Sequence, residues 1–405
     1  KPLLDLKLDA QAEEGDVVFP ITFDGEFFLP IKASSEVNEN GEVVVSVDNL
    51  PKDVSEPKID PETQTRSLTG SVKILFQKVV SKKLGREFQY PLLDMATDIT
   101  AQGFKYMRQI HSDKDYGFVL DKVAREIETK KNIAIFVHGI IGDTETMPQS
   151  LVLAKDAFGN PLLEKYDAVL TLDYENLNTP IESNSQFFKE RLEHIGLKAG
   201  HDKNVHIYAH SMGGLVSRYM IENLRGDEIV NHLIMLGTPN AGSPFSALKD
   251  WIQMAISMAM SKIALFAWAT APMVFLFNKT MKEIGVSLKQ LNGNEPFLQN
   301  LAKTAQPKTP YTIIAGNTQL TPLLTEGTAE NGALKRLLGK IQSKVLDDFL
   351  FGSPNDIAVS LDSIKSVKWV QESEVIYPAC DHMSYFTTEE GNRAMAEAVS
   401  RARFL

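Results

Sequence analysis

The chain of 405 residues contains a single cysteine, Cys380, so no disulfide can form within it and the thiol count leaves the redox compartment open. Basic charge is also short: 42 Lys and Arg stand against 52 Asp and Glu, a formal net charge of -10. Nucleic-acid binding draws its affinity from cations set against phosphates, and this balance argues against it. His and Cys fall at no spacing that suits a zinc site, and no metal or organic cofactor is expected. Internal repeats and low-complexity tracts are absent. The chain opens at Lys1 with neither a Met nor an apolar signal-like run, the start expected of a trimmed or processed product, and its localisation is unknown.

What is present has an ordinary globular composition, 43% hydrophobic and 23% charged, at a length that suits one large domain plus a smaller one. The acidity is uneven: residues 1–66 hold 15 Asp and Glu against 6 Lys and Arg, which accounts for nearly all of the net charge. A solvated front segment explains it; an acidic surface that recruits a protein partner is the alternative.

Residues 17–23 and 26–31 flank Asp24-Gly25, and Asn40-Gly41 precedes the β-branched run 43–47. Both dipeptides readily take the positive φ of a tight hairpin turn. With the Pro-rich acidic stretch 51–62 read as a linker, residues 1–70 are expected to form a β-rich, sandwich-like domain. Residues 71–130 give mixed signals, apolar at 72–80 and helical at 121–131, and are read as a connecting segment without a sharp boundary. From 131 to 405, short apolar strands at 133–137, 168–172, 205–209, 230–235 and 311–315 alternate with helical stretches. That alternation predicts βαβ units and a mostly parallel sheet.

Within this region Val205-His206-Ile207-Tyr208-Ala209-His210-Ser211-Met212-Gly213-Gly214-Leu215-Val216 is a strand-like run that meets a helical one at a serine. A sharp strand-to-helix turn strains its corner residue and is tolerated only where the residues two positions away are small, as Ala209 and Gly213 are. The following helix N-terminus places backbone dipoles near developing negative charge. The segment resembles the Ala-His-Ser-Met-Gly elbow of bacterial serine lipases of the α/β-hydrolase superfamily, with Ala209 where the general pattern has glycine. The resemblance extends over about residues 133–405 and implies an α/β-hydrolase fold with Ser211 as nucleophile. His210 is read as a packing or hydrogen-bonding neighbour.

A second stretch, Ile133-Ala134-Ile135-Phe136-Val137-His138-Gly139-Ile140-Ile141-Gly142, is an apolar strand that ends in His-Gly and resembles the first oxyanion loop of the lipases. Resemblance assigns the two oxyanion N–H donors to Ile140 and Met212. A tight turn after a buried strand, with His138 bonded to nearby backbone, is the structural reading and is compatible with that role.

The superfamily supplies its acid and base after the nucleophile, in that order. After Ser211 only His232 and His382 remain as histidines. His232 opens an apolar strand, at the end far from the catalytic edge, which leaves His382, in the loop Cys380-Asp381-His382-Met383-Ser384-Tyr385-Phe386. Gly352-Ser353-Pro354-Asn355-Asp356-Ile357-Ala358-Val359 resembles the lipase Asn-Asp-x-x-Val loop and implies Asp356 as the acid, with Asp362 and Asp381 as fallbacks. A Cys380–His382 nucleophile pair leaves the serine elbow unexplained, and Cys380 is read as a small buried residue.

An apolar insert at about 243–285, richest between Trp251 and Phe277, follows Gly237-Thr238-Pro239-Asn240. A single membrane crossing there would separate Ser211 from Asp356, and the uncharged part, 263–277, is shorter than the roughly 20 residues a span needs. Asp250, Gln253, Ser257 and Ser261 form a narrow polar stripe at helical spacing, so most of that helix is covered. The insert is read as a cap or lid that roofs an acyl-binding cleft; burial in the core and contact with a membrane surface are the alternatives. The function expected is hydrolysis of carboxylic esters of the lipase, esterase or phospholipase kind, with a lipid or small-molecule acyl ester as substrate. A thioesterase, an acyltransferase, a peptidase and a non-catalytic binding module remain as rivals.

Overall fold

The computed structural model describes residues 92–107, 115–140, 144, 146–174, 179–243, 286–320 and 354–405, together with strand backbones within residues 4–80. Residues 1–86 belong to one compact unit, and Glu87–Leu248, Gly285–Glu326 and Val345–Leu405 make up another. Residues 244–285 of the apolar insert at about 243–285, the two hairpin dipeptides Asp24-Gly25 and Asn40-Gly41, and the stretch 51–62 lie outside the described residues.

The first unit contains β1 (Leu4–Gln11), β2 (Asp16–Phe23), β3 (Phe28–Pro30), β4 (Lys32–Val37), β5 (Glu42–Asn49) and β6 (Lys73–Val80). They form two three-stranded sheets, β1-β5-β4 and β3-β2-β6. The strands on either side of each hairpin dipeptide pair antiparallel, Thr22 with Leu29 and Val37 with Val43. β6, in the stretch of mixed signals, pairs with β2 along its whole length, from Asp16 with Val80 to Phe23 with Lys73.

The second unit is built on β7 (Leu92–Thr100), β8 (Gly103–Tyr106), β9 (Asn132–Val137), β10 (Ala168–Asp173), β11 (Asn204–His210), β12 (His232–Leu236), β13 (Tyr311–Ile314) and β14 (Val375–Ile376). They form one sheet in the order β14-β13-β12-β11-β9-β10-β7-β8. Pairing is parallel from β14 to β10 and antiparallel from β10 to β7 and β8. The sequence did not suggest β7. It carries Asp94 and Asp98, a residue type depleted in strands, and Asp98 takes a positive φ where the register of the β7–β8 hairpin shifts.

Helices α1 (Asp115–Ile127), α2 (Ile181–His194), α3 (Met212–Asn223), α4 (Val286–Gln290), α5 (Pro296–Leu301) and α6 (Glu389–Ser400) accompany the sheet. α6 is capped by the Thr388 hydroxyl, which accepts from the Gly391 N–H, and has Glu389 and Glu390 in its first turn beside the positive helix end. Its Ala394, Met395, Ala398 and Val399 pack in one core cluster with Ala134, Phe136, Tyr208, Ile234 and Ile314, every second residue along the strands. The alternate set, Ile133, Ile135, Val137, Val205, Ile207, Leu233 and Met235, is fully buried as well and points to the opposite face, where Gly213 of α3 lies against the Val137 carbonyl and α2 packs on α3. Burial on both faces explains why these strands read as continuous apolar runs. This is the α/β-hydrolase fold.

From β9 the chain steps to β10 on one side, then returns to place β11 on the other. Such a reversal leaves a crevice at the carboxyl ends of the two strands. The exits of β9 and β11 are His138-Gly139-Ile140 and Ser211.

Candidate active site

Ser211 sits at the junction of β11 and α3 with φ 52° and ψ -126°, a conformation costly for a residue with a Cβ. Its N–H donates to the Leu236 carbonyl at 2.9 Å, which ties the bend to the end of β12. Close approach needs glycine on two sides. A Cβ on Gly139 would lie 2.7 Å from Ser211 Cβ, and one on Gly213 would lie 2.4 Å from the His138 carbonyl oxygen. The loop leaving β9 therefore rests directly on the elbow, with Ile140 and Met212 both buried beside it.

That loop is held at two points by the end of β10. His138 Nε2 accepts the Tyr174 N–H at 3.2 Å, which leaves the ring proton on Nδ1 to be donated to the Gly139 carbonyl at 2.7 Å. Tyr174 stacks on the His138 ring and donates its hydroxyl to the His138 carbonyl at 2.7 Å. Six residues on, the Thr144 N–H and hydroxyl both donate to Asp173 Oδ1, at 3.1 and 3.0 Å. A trans peptide points its N–H opposite to its C=O, so the bond from His138 to the Gly139 oxygen turns the Ile140 N–H away from the His138 ring. Sequence reasoning passed over Asp173 and Tyr174; the signal was an acidic and a hydroxylated residue closing an otherwise apolar strand.

His382 and Asp356, distant in sequence, meet on the other side of the elbow. His382 Nδ1 lies 2.7 Å from Asp356 Oδ2, and both side chains are buried. The His382 N–H also donates to the Asp356 carbonyl at 2.7 Å, so backbone and side chain are locked together. Oδ1 of the carboxylate accepts the N–H groups of Ala358 and Val359, while the Tyr385 hydroxyl donates to Oδ2 at 2.8 Å. The turn that presents the acid is strained: Ile357, β-branched, has φ 85°. Its N–H is taken by Asn355 Oδ1, and the Asn355 carbonyl in turn accepts from the backbone and hydroxyl of Thr318.

Gly237 joins this pair to the serine. Its neighbour Leu236 accepts the Ser211 N–H, and a Cβ on Gly237, at φ 61°, would fall 2.6 Å from Asp356 Oδ2 and 3.0 Å from His382 Nδ1. The residue before the serine closes the ring, because His210 Nε2 donates to the His382 carbonyl at 2.8 Å and the two imidazoles lie 4.7 Å apart. Burial first, then the neighbouring His382, holds the His210 imidazole well below its ordinary pKa and keeps it neutral.

The other candidates from the sequence lie elsewhere in the bonding. Asp362 is exposed and pairs with Lys365, and Asp381 accepts the Met383 N–H at 2.8 Å. His232 is buried at the start of β12 against the Thr312 hydroxyl. Cys380 is buried, and desolvation pushes its thiol far above the usual range. Among the described residues no group of three or more His, Cys, Asp or Glu is placed to hold a metal ion, and no helix is long and apolar enough to cross a membrane.

A family model described as a domain of unknown function, DUF7379, matches residues 105–400. No curated protein matches the chain. Among solved structures, the mature lipase BlEst2 of Bacillus licheniformis is similar at 19% identity and a TM-score of 0.41, over 67% of this chain and 91% of that one. EstA from Clostridium botulinum aligns at 13% identity and a TM-score of 0.41, over 74% of this chain and 100% of that one. Phospholipase PlaB from Legionella pneumophila aligns at 16% identity and a TM-score of 0.38, over 58% and 46%.

Proposed function

The chain belongs to the DUF7379 family, and from the geometry of its own residues we propose that it is a serine hydrolase that cleaves carboxylic esters through an acyl-enzyme on Ser211. The observation that carries this reading is the buried His382–Asp356 bond of 2.7 Å, set one glycine away from the strand end that anchors the Ser211 elbow. A buried carboxylate on Nδ1 fixes the imidazole tautomer, leaves Nε2 to act as base and stabilises the imidazolium once it forms.

In the proposed reaction His382 takes the Ser211 hydroxyl proton as Oγ attacks the ester carbonyl. The resulting oxyanion is received by the N–H groups of Met212 and Ile140, each worth about 3 to 4 kcal/mol in comparable sites. The imidazolium then protonates the departing alcohol as the carbon–oxygen bond breaks, and the same steps with water as nucleophile release the acid and restore the serine. The bonds from His138, Tyr174, Asp173 and Thr144 support this reading because an oxyanion donor must be in place before charge develops. The substrate class proposed is a lipid or small-molecule acyl ester.

The test is covalent labelling with a fluorophosphonate followed by mass mapping. The label is expected on Ser211 alone, and Ser211→Ala is expected to abolish it and to lower ester turnover by on the order of 10⁶ with the melting temperature unchanged. A fully active Ser211→Ala chain would move the nucleophile elsewhere. Matched ester, thioester and amide panels across acyl lengths then separate esterase from thioesterase, acyltransferase and peptidase chemistry.

A further inference from the structure

We propose that Tyr385 is a positioning residue for this site: its hydroxyl, fixed by the Gly316 N–H, orients the Asp356 carboxylate and sets how strongly that carboxylate draws on His382. The inference rests on the hydrolase reading and goes beyond its three reacting side chains.

The bonding is specific. Two backbone donors, Ala358 and Val359, fill Oδ1 of Asp356, and two side-chain donors, His382 and Tyr385, share Oδ2 at 2.7 and 2.8 Å. The Tyr385 hydroxyl accepts the Gly316 N–H at 2.8 Å, so its single proton is directed at the carboxylate. Burial, reinforced by the Asp356 charge, holds the phenol well above its ordinary pKa and keeps that proton in place. Gly316 permits the contact, since a Cβ there would lie 2.8 Å from the hydroxyl and 2.7 Å from the Cys380 carbonyl. Tyr385 is fully buried in the core cluster that also holds Phe136, Tyr208, Met395 and Ala398, where phenylalanine would fill nearly the same space. A hydroxyl in such a setting is costly unless bonded, and the bonds it makes lead to the acid.

Two donors on one oxygen compete for its electron density. With the phenol removed, Oδ2 bonds the imidazole more strongly, the imidazolium is stabilised and the base is protonated at higher pH; the carboxylate also loses a constraint on its plane. A more acidic phenol acts in the opposite sense. The titratable groups facing the pair are His210 from β11, and Cys380, Asp381 and Tyr385 from the segment that carries His382. Burial keeps His210 and Cys380 uncharged and raises the Asp381 carboxyl, and all three are the same in wild type and in the Tyr385 replacements, so a difference between their profiles reports the phenol bond.

In the full chain, Tyr385→Phe is compared with wild type on p-nitrophenyl butyrate, with kcat and KM measured across pH and a thermal melt alongside. The expected result is a kcat lower by about 10-fold, an unchanged KM and an acid limb of kcat/KM raised by roughly half a unit. Site-specific replacement of Tyr385 by difluorotyrosine keeps the shape, strengthens the donor and is expected to lower the same limb; it decides the matter if the Phe variant does not fold. Coincident pH profiles for wild type and both replacements overturn the proposal, as do shifts of the same sign in both. A wild-type chain that neither labels nor turns over any ester overturns the hydrolase reading itself.

Discussion

Strand β11 carries two histidines on one face, His206 near its start and His210 at its end, and each lies against a second imidazole. The rings of His206 and His232 are 6.0 Å apart, those of His210 and His382 4.7 Å. Three of the four are buried and His210 is half-buried, yet the two ends of the strand differ in what the second histidine meets. At the start, His206 Nδ1 faces the Tyr166 hydroxyl, its Nε2 accepts from Asn204, and His232 Nε2 bonds the Thr312 hydroxyl. Those partners carry no charge, and burial holds both imidazoles down to about 4. At the end, His382 meets the Asp356 carboxylate. Burial with neutral partners makes a histidine a silent strut, whereas a buried carboxylate on Nδ1 is the setting that the proposed base requires.

Removing one histidine from each pair gives the strongest test of that contrast. On the proposed mechanism His382→Ala is expected to lower kcat by on the order of 10⁶ and to leave the melting temperature close to wild type, because the proposed nucleophile then has no base. His232→Gln is expected to leave kcat per folded molecule unchanged while costing about 1 to 2 kcal/mol of stability, from a poorer bond to Thr312 and imperfect packing. Ester kinetics paired with urea unfolding measure both, and loss of turnover in His232→Gln would end the distinction.

Sequence periodicity foretold the parallel strands because burial on both faces leaves continuous apolar runs, and the elbow because Ala209 and Gly213 must be small around a strained serine. It could not reach β7 or the anchors in the loops, since cross-strand pairing and side chain-to-backbone bonds depend on partners far along the chain. Asp173 holds Thr144 across 29 residues and Tyr385 holds Asp356 across the same separation, and neither distance leaves a local pattern. Asp356, the proposed acid, was reached only through the resemblance of its segment to the Asn-Asp-x-x-Val loop. The geometry that sets this carboxylate against His382, with Ile357 held at positive φ by Asn355 and Thr318, becomes visible once the chain is folded.

The silent pair also makes a pH prediction of smaller size. An unfolded histidine titrates near 6.5, whereas His206 and His232 in the fold do so at about 4. Between those values the unfolded chain binds more protons than the native one, so stability is full above about 6.5 and falls as pH drops toward 4. The loss approaches on the order of 3 kcal/mol per histidine. Urea midpoints at stepped pH are expected to decline through this window, and His232→Gln, which cannot charge, to flatten the decline. A midpoint constant from pH 7 to 4.5 would contradict the buried, neutral state of both rings.

The smallest effect concerns Cys380, which lies two residues from His382 and is the chain's one thiol. Proximity in sequence invites a cysteine nucleophile, but reactivity belongs to the thiolate. Desolvation raises this thiol, and the charges of Asp381, Asp356 and Glu390 raise it further, so the anion is suppressed from both causes. The side chain is packed in the same core cluster as Tyr385 and Ala394, which also denies access to reagents. Cys380→Ala is therefore expected to keep ester turnover within about 2-fold of wild type and to cost about 1 kcal/mol from the small void it leaves. The native thiol is expected to resist iodoacetamide until denaturant is added. Rapid alkylation of the folded chain with parallel loss of activity would instead place a reactive sulfur beside His382 and undo the contrast between a charged and a silent histidine environment on which the proposed serine mechanism depends.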